Sequence, residues 1–234
     1  MTVILLRHGR STSNTTHILA GRSEGVDLDD KGCQQAAELI DRIGDLPVRA
    51  VVHSPLLRCR RTVEPLAEAL GLQPVADERL AEVDYGEWTG RKIADLTKEP
   101  LWAVVQAHPS AAVFPGGEGL AQVQVRALAA VRDHDRQLAE QHGGDALWLA
   151  CTHGDIIKSV VADALGLHLD AFQRIAADPA SMSVIRYTPL RPFVLHLNHT
   201  GARLTSALTA PPSAEGKPDG EPPSSDAVVG GSTD

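Results

Sequence analysis

Three cysteines in 234 residues leave little scope for cysteine chemistry. Cys33, Cys59 and Cys151 are odd in number, far apart and without Cys-x-x-Cys spacing, so neither a disulfide framework nor a zinc knuckle is indicated, and a reducing cytoplasm fits best. Long hydrophobic runs are also missing. Thr2-Val3-Ile4-Leu5-Leu6 gives only five residues before Arg7, too short for the apolar region of a signal peptide or for a membrane span. In a chain that is not exported, the Asn-x-Thr triplets at Asn14 and Asn198 are chance matches. No His-Glu-x-x-His, P-loop or Gly-x-Gly-x-x-Gly pattern occurs, which removes zinc peptidase, nucleotide kinase and dinucleotide enzyme as readings. A basic stripe is absent too, so a nucleic-acid partner is unsupported.

What is present is an ordinary globular composition, 43% hydrophobic and 22% charged, in a length that favours one domain. The formal charge of −8 is less forbidding for an anionic ligand than it looks. Glu215, Asp219, Glu221, Asp226 and Asp234 against Lys217 place half of it in the last 20 residues, and a local group of arginines can still be strongly positive. From Thr209 onward 13 of 26 residues are Pro, Gly or Ser, with no apolar periodicity to offset the entropy of ordering. We therefore divide the chain into a domain over residues 1–204 and an acidic tail over 205–234 that is expected to be disordered.

Within 1–204 the pattern alternates. Thr2–Leu6, Ala50–His53 and Ala146–Cys151 are short apolar runs of the kind buried on both faces of a sheet, each followed by a turn and a helical stretch. Helices are expected after Asp29 (stripe Cys33, Ala36, Ala37, Ile40, Ile43, stopping at Gly44), from Ser54 to Gly71 with an irregularity at Pro65, from Gly119 to Gly143, and from Asp155 to Leu165. Met182–Thr188 and Pro192–Asn198 read as late edge strands. The fold class is α/β, a three-layer sandwich on a mostly parallel central sheet.

Ligands in such sheets sit beyond the carboxyl ends of the strands. Arg7-His8-Gly9 follows the first strand, Ser54-Pro55-Leu56-Leu57-Arg58 the second, and Thr152-His153-Gly154 the third. Two histidines and two arginines would thus meet near helix N-termini that favour anions. Arginine forks match phosphoryl oxygens, and an imidazole with one nitrogen tied to an acceptor presents a nucleophilic lone pair on the other.

The ordered set Leu6-Arg7-His8-Gly9 with Asn14, Gly32-x-x-Gln35-Ala36, Ser54–Arg58 with Thr62, Leu80–Gly90, Pro115-Gly116-Gly117-Glu118 and Thr152-His153-Gly154 resembles the histidine phosphatase superfamily, phosphoglycerate-mutase-like branch. The resemblance implies that His8 is a nucleophile forming phosphohistidine, that Arg7, Arg58 and His153 hold the phosphoryl oxygens, and that Glu82 gives a proton to the leaving oxygen. It places Asn14, Gly21 and Gly154 around the phosphate and calls for neither metal nor cofactor. Arg10 stands where many members carry Glu or Gln and adds charge close to the crevice unless it faces solvent. Lys158 replaces a commoner Arg. The remaining histidines, and Trp88, Trp102 and Trp148, are assigned to structure and packing.

Phosphatase is the leading function, phosphomutase the alternative, and a non-catalytic phosphate-binding scaffold a distant third. The glycolytic mutases are longer between the positions of Glu82 and His153, where a basic insertion closes over the ligand. Here Lys92, Lys98, Arg126 and Arg132 are the candidates for that cover. The partner is a small phosphorylated metabolite, with selectivity expected from residues 91–118, and no membrane is implicated. Oligomeric state is open, a homodimer being compatible.

Overall fold

The computed structural model describes residues 1–43, 45–143 and 146–201; the tail 205–234 and the helix stop at Gly44 lie outside them. Six strands run in chain order β1 (Thr2–Arg7), β2 (Val48–His53), β3 (Val75–Ala76), β4 (Leu147–Thr152), β5 (Met182–Tyr187) and β6 (Pro192–His199). They form one sheet in the order β3-β2-β4-β1-β5-β6, parallel across its first four members and antiparallel at β5 and β6. Among the described residues seven α-helices accompany it: α1 (Thr12–Thr15), α2 (Asp30–Ile43), α3 (Leu57–Leu70), α4 (Ile93–Leu96), α5 (Pro100–Ala107), α6 (Leu120–His142) and α7 (Gly154–Ala164).

Alternation along the strands creates the three layers. Val3 and Leu5 of β1, with Trp148 and Ala150 of β4, share a core with Leu120, Val123, Ala127 and Val131 of α6 and Ile156, Val160 and Val161 of α7. Ile4, Leu6, Leu149 and Cys151 face the other way, onto Leu39 and Ile43 of α2 and Cys59, Val63 and Leu66 of α3. Both faces of β1 and β4 are covered, which explains their near-unbroken apolar runs.

The stripe on α2 differs from expectation. Gly32, Ala36, Leu39 and Ile43 are buried, whereas Cys33, Ala37 and Ile40 are exposed. The cause lies at the N-terminal end, where Gly32 abuts the backbone of Arg10 and Gln35 accepts from the Arg10 N–H, rotating the helix toward the loop after β1. Helix α3 starts at Leu57, not Ser54, and runs as one element through Pro65. The helix expected from Asp155 to Leu165 is α7, and Leu165 is exposed just past its end. The expected helix from Gly119 to Gly143 is α6, with Gly143 in the left-handed conformation at its end. Trp148 is fully buried, and Trp88 stacks on Trp102. No helix among the described residues is long and apolar enough to cross a membrane.

Candidate active site

Strand register brings the site together. Arg7 at the end of β1 lies beside Thr152 at the end of β4, and His53 at the end of β2 beside Cys151. The residues that follow therefore emerge side by side, and the rings of His8 and His153 meet edge to face with centroids 5.2 Å apart. Arg58 arrives from the first turn of α3, and Glu82 from the loop after the short 3-10 turn Glu78–Leu80.

The hydrogen bonds fix the state of His8. Nδ1 is 2.7 Å from the Gly9 carbonyl, which can only accept, so Nδ1 carries the proton and Nε2 the lone pair. Nε2 in turn accepts from Nε of Arg58 at 3.3 Å. Nη2 of Arg58 donates to the Gly21 carbonyl at 2.8 Å and stands 3.2 Å from Nδ1 of His153. Nε2 of His153 completes the chain, 2.7 Å from the hydroxyl of Ser54. Burial, then Arg58 and Arg7, hold His8 well below the usual imidazole range; burial, then Arg58, His8 and Arg7, do the same to His153. Nη1 of Arg58 is buried without a partner, a costly arrangement in a protein interior and one that suits an anion. Nη1 of Arg7 donates to the Ala177 carbonyl at 2.7 Å.

Glu82 is buried, with Oε1 accepting from the Val83 N–H and Oε2 3.9 Å from Nδ1 of His153. Burial first, and the negative charge of Asp155 second, push its carboxyl up to about 7 against the pull of Arg58 and Arg7. Its backbone sits in a cradle. Arg22 and Arg126 both donate to the Glu82 carbonyl, at 2.9 and 3.1 Å, and Arg126 also binds the carbonyls of Arg79 and Ala81. Glu118 pairs with both arginines and accepts from the Asp84 N–H. Glu118 belongs to a motif quoted from the sequence, yet nothing in that motif assigns it this role, and Arg22 carried no signal.

Arg7, His8, Asn14, Gly21, Arg58 and Glu82 line one cleft of about 390 Å³, counted to its open mouth, and His153 lies beneath them, fully buried. Gly154 is buried at the start of α7, outside the lining. Asn14 turns its carbonyl oxygen back to Ser11, whose N–H and hydroxyl both donate to it. Thr62 ties α3 to the first loop, accepting from the Gly9 N–H and donating to the Arg58 carbonyl. Arg10 is drawn away from the cleft into a 2.6 Å ion pair with Asp29. Lys158 is buried 3.6 Å from Asp155, whose other oxygen accepts from the Tyr85 hydroxyl. Of residues 91–118 Ile93 lies in the lining of this cleft, together with Ile18, Leu19 and Ala20 from an earlier segment. Among the described residues no group of three or more His, Cys, Asp or Glu side chains could hold a metal ion.

A doubly covered, mostly parallel sheet whose strand ends gather two neutral imidazoles, two guanidinium groups and a protonatable carboxyl defines a phosphoryl-transfer enzyme. The chain belongs to the histidine phosphatase superfamily (branch 1), whose profile matches residues 3–200. It is 29% identical over 204 residues to phosphoserine phosphatase 1 of Hydrogenobacter thermophilus, covering 85% of this chain and 92% of that one. It is 33% identical over 184 residues to the probable phosphoglycerate mutase GpmB of Erwinia tasmaniensis, covering 77% and 82%. Among solved structures, Bacillus stearothermophilus YhfR superposes with a TM-score of 0.76 at 25% identity, covering 85% of this chain and 96% of that one.

Proposed function

We propose that the chain is a phosphatase that hydrolyses a small phosphate monoester through a phosphohistidine on His8. In the first half-reaction Nε2 of His8 attacks phosphorus, the bond to the leaving oxygen breaks, and Glu82 gives that oxygen its proton. In the second, water attacks phosphorus, Glu82 takes the water's proton, and the N–P bond breaks to release inorganic phosphate. Arg7, Arg58 and His153 hold the three phosphoryl oxygens, with Asn14 and Gly21 in the cleft lining beside them and Gly154 behind His153 at the start of α7. The observation that carries this reading is the single guanidinium of Arg58 bonded toward both imidazoles, with one nitrogen still buried and unsatisfied.

Hydrolysis is favoured over mutase action by what the candidate covering cations do. Arg126 is committed to Glu118 and three carbonyls, Lys98 pairs with Asp95, Arg132 pairs with Asp163, and Lys92 is exposed outside the cleft lining. A mutase has to keep water from its phosphoenzyme between half-reactions. Phosphomutase remains the second reading because of the GpmB relative.

We assign the activity to residues 1–204, on a small phosphorylated metabolite, in a reducing cytoplasm; three free cysteines support that compartment. We propose no nucleic-acid partner. The test is phosphate release from p-nitrophenyl phosphate in EDTA, with acid-labile phosphoenzyme trapped by quenching. His8→Ala should abolish both signals, and turnover retained in that variant rejects the covalent route. Faster interconversion of phosphoglycerates than hydrolysis, with 2,3-bisphosphoglycerate added, would replace phosphatase by mutase.

A further inference from the structure

Beyond the phosphoryl site the cleft changes character. Besides the phosphoryl-site residues and Ser11, Ser13 and Asn14, its lining holds Ile18, Leu19 and Ala20 on one segment and Ile93, at the start of α4, on another. Backbone hydrogen bonds zip the two together: Leu19 N–H to the Arg91 carbonyl at 2.9 Å, Gly90 N–H to the Leu19 carbonyl at 2.8 Å and Ile93 N–H to the His17 carbonyl at 3.0 Å. This part of the lining is thus built into the fold, and Ile18, Ala20 and Ile93 are only half-buried, with apolar surface left to cover.

Charge is distributed in the same sense. The cations that line the cleft are Arg7 and Arg58, both at the phosphoryl end. Neighbouring cations lie elsewhere: Arg10 pairs with Asp29 at 2.6 Å, Arg22 with Glu118 at 2.9 Å and Arg91 with Glu99 at 2.6 Å, and Lys92, exposed next to Ile93, is outside the lining. A carboxylate or second phosphate on the leaving group would lie against Ile18 and Ile93 with no cation of the lining to pair with and would lose part of its hydration. An alkyl or aryl group would instead remove apolar surface from water.

Resting on the phosphatase reading, we propose that the substrate is a monoester whose leaving alcohol is uncharged and partly apolar, seated against Ile18, Ala20 and Ile93. These three side chains are specificity determinants of the reaction. Anionic esters such as phosphoglycerates and phosphoserine are poor substrates.

The test compares kcat/KM for 2-phenylethyl phosphate, 3-phosphoglycerate and phosphoserine; all three are alkyl esters, which limits the effect of leaving-group basicity. The phenylethyl ester should be favoured by about tenfold or more, the discrimination available to an apolar pocket. Ile93→Arg should raise kcat/KM for 3-phosphoglycerate and lower it for the phenylethyl ester, and the milder Ile93→Ala should narrow the gap several-fold (roughly 3–10). Equal or faster turnover of 3-phosphoglycerate by the wild type, or a preference unmoved in both variants, overturns the inference while the phosphatase reading stands. Turnover of none of the esters, p-nitrophenyl phosphate included, overturns both.

Discussion

Nε of Arg58 donates to Nε2 of His8 across 3.3 Å, so the guanidinium faces the nitrogen that the Gly9 bond leaves unprotonated. An anion held by that guanidinium is therefore presented to the lone pair, and binding and orientation come from one side chain. Arg58→Lys keeps the charge but loses the planar fork that also reaches Gly21 and His153. We expect kcat/KM to fall by about 10²–10³, the usual cost of removing one positioned donor. Steady-state phosphate release measures it, and a loss under threefold would show that charge alone suffices.

Glu82 predicts a pH profile. As proton donor it must be protonated in the free enzyme, and its carboxyl is raised to about 7, so kcat/KM should decline as pH rises through that value. His8 must be neutral, and its proton affinity is lowered well below 6.5, so the acid limb should lie below that value. Glu82→Gln should slow turnover of an alkyl ester by roughly 10²–10⁴ and erase the alkaline limb. If the limb near 7 persists in the variant, the titration belongs to another group.

The cradle under Glu82 gives a separate test. Arg126 satisfies three backbone carbonyls and pairs with Glu118, with its side chain largely buried. Arg126→Met should cost about 2–3 kcal/mol of stability, and by loosening the acid should reduce kcat more than it raises KM. Urea unfolding and kinetics on the same preparation separate the two effects. A destabilised variant with wild-type kcat would confine Arg126 to folding.

Why this cradle escaped the sequence while the clustered histidines and arginines did not is a matter of distance along the chain. Arg7, His8, Arg58 and His153 each follow a strand, and a parallel sheet fixes where strand ends go, so local motifs were enough to foresee their meeting. Arg22 and Glu118 are joined only by tertiary structure, 96 residues apart, and neither lies at a strand end. The burial stripe of α2 was misjudged because an apolar periodicity cannot reveal that Gly32 must face the Arg10 backbone. Strand β3, two exposed residues long, has no hydrophobic pattern to detect.

Acid should weaken the support of the Glu82 loop. Asp77 caps the turn Glu78–Leu80, accepts from Arg79, and lies 2.8 Å from Nε2 of His134. Outweighing burial, its bonds to Arg79 and His134 lower its carboxyl to about 2 from 3.8. A depressed carboxylate contributes stability that is complete above the unfolded value and is lost as pH falls from about 4 toward 2. After allowance for partial exposure this amounts to about 1–2 kcal/mol. Asp77→Asn should be less stable than wild type at pH 7, and the gap should close on acidification; a gap independent of pH would assign the loss to the cap alone.

Gly32 and Gly71 make a matched pair for the last prediction. A Cβ on Gly32 would lie 2.0 Å from the Arg10 carbonyl oxygen, which is backbone and cannot swing aside, although Gly32 has ordinary helical geometry. Gly32→Ala must therefore push α2 away from the loop that carries His8, costing about 1–3 kcal/mol and at least an order of magnitude, roughly tenfold, in kcat. At Gly71 a Cβ would meet nothing within 4 Å, but φ is +65°. Gly71→Ala should cost about 1 kcal/mol through backbone strain with turnover unchanged, since the end of α3 lies away from the cleft. Thermal unfolding ranks the two costs and kinetics separates them: if Gly32→Ala were as active as Gly71→Ala, the close approach of α2 would not be what positions His8.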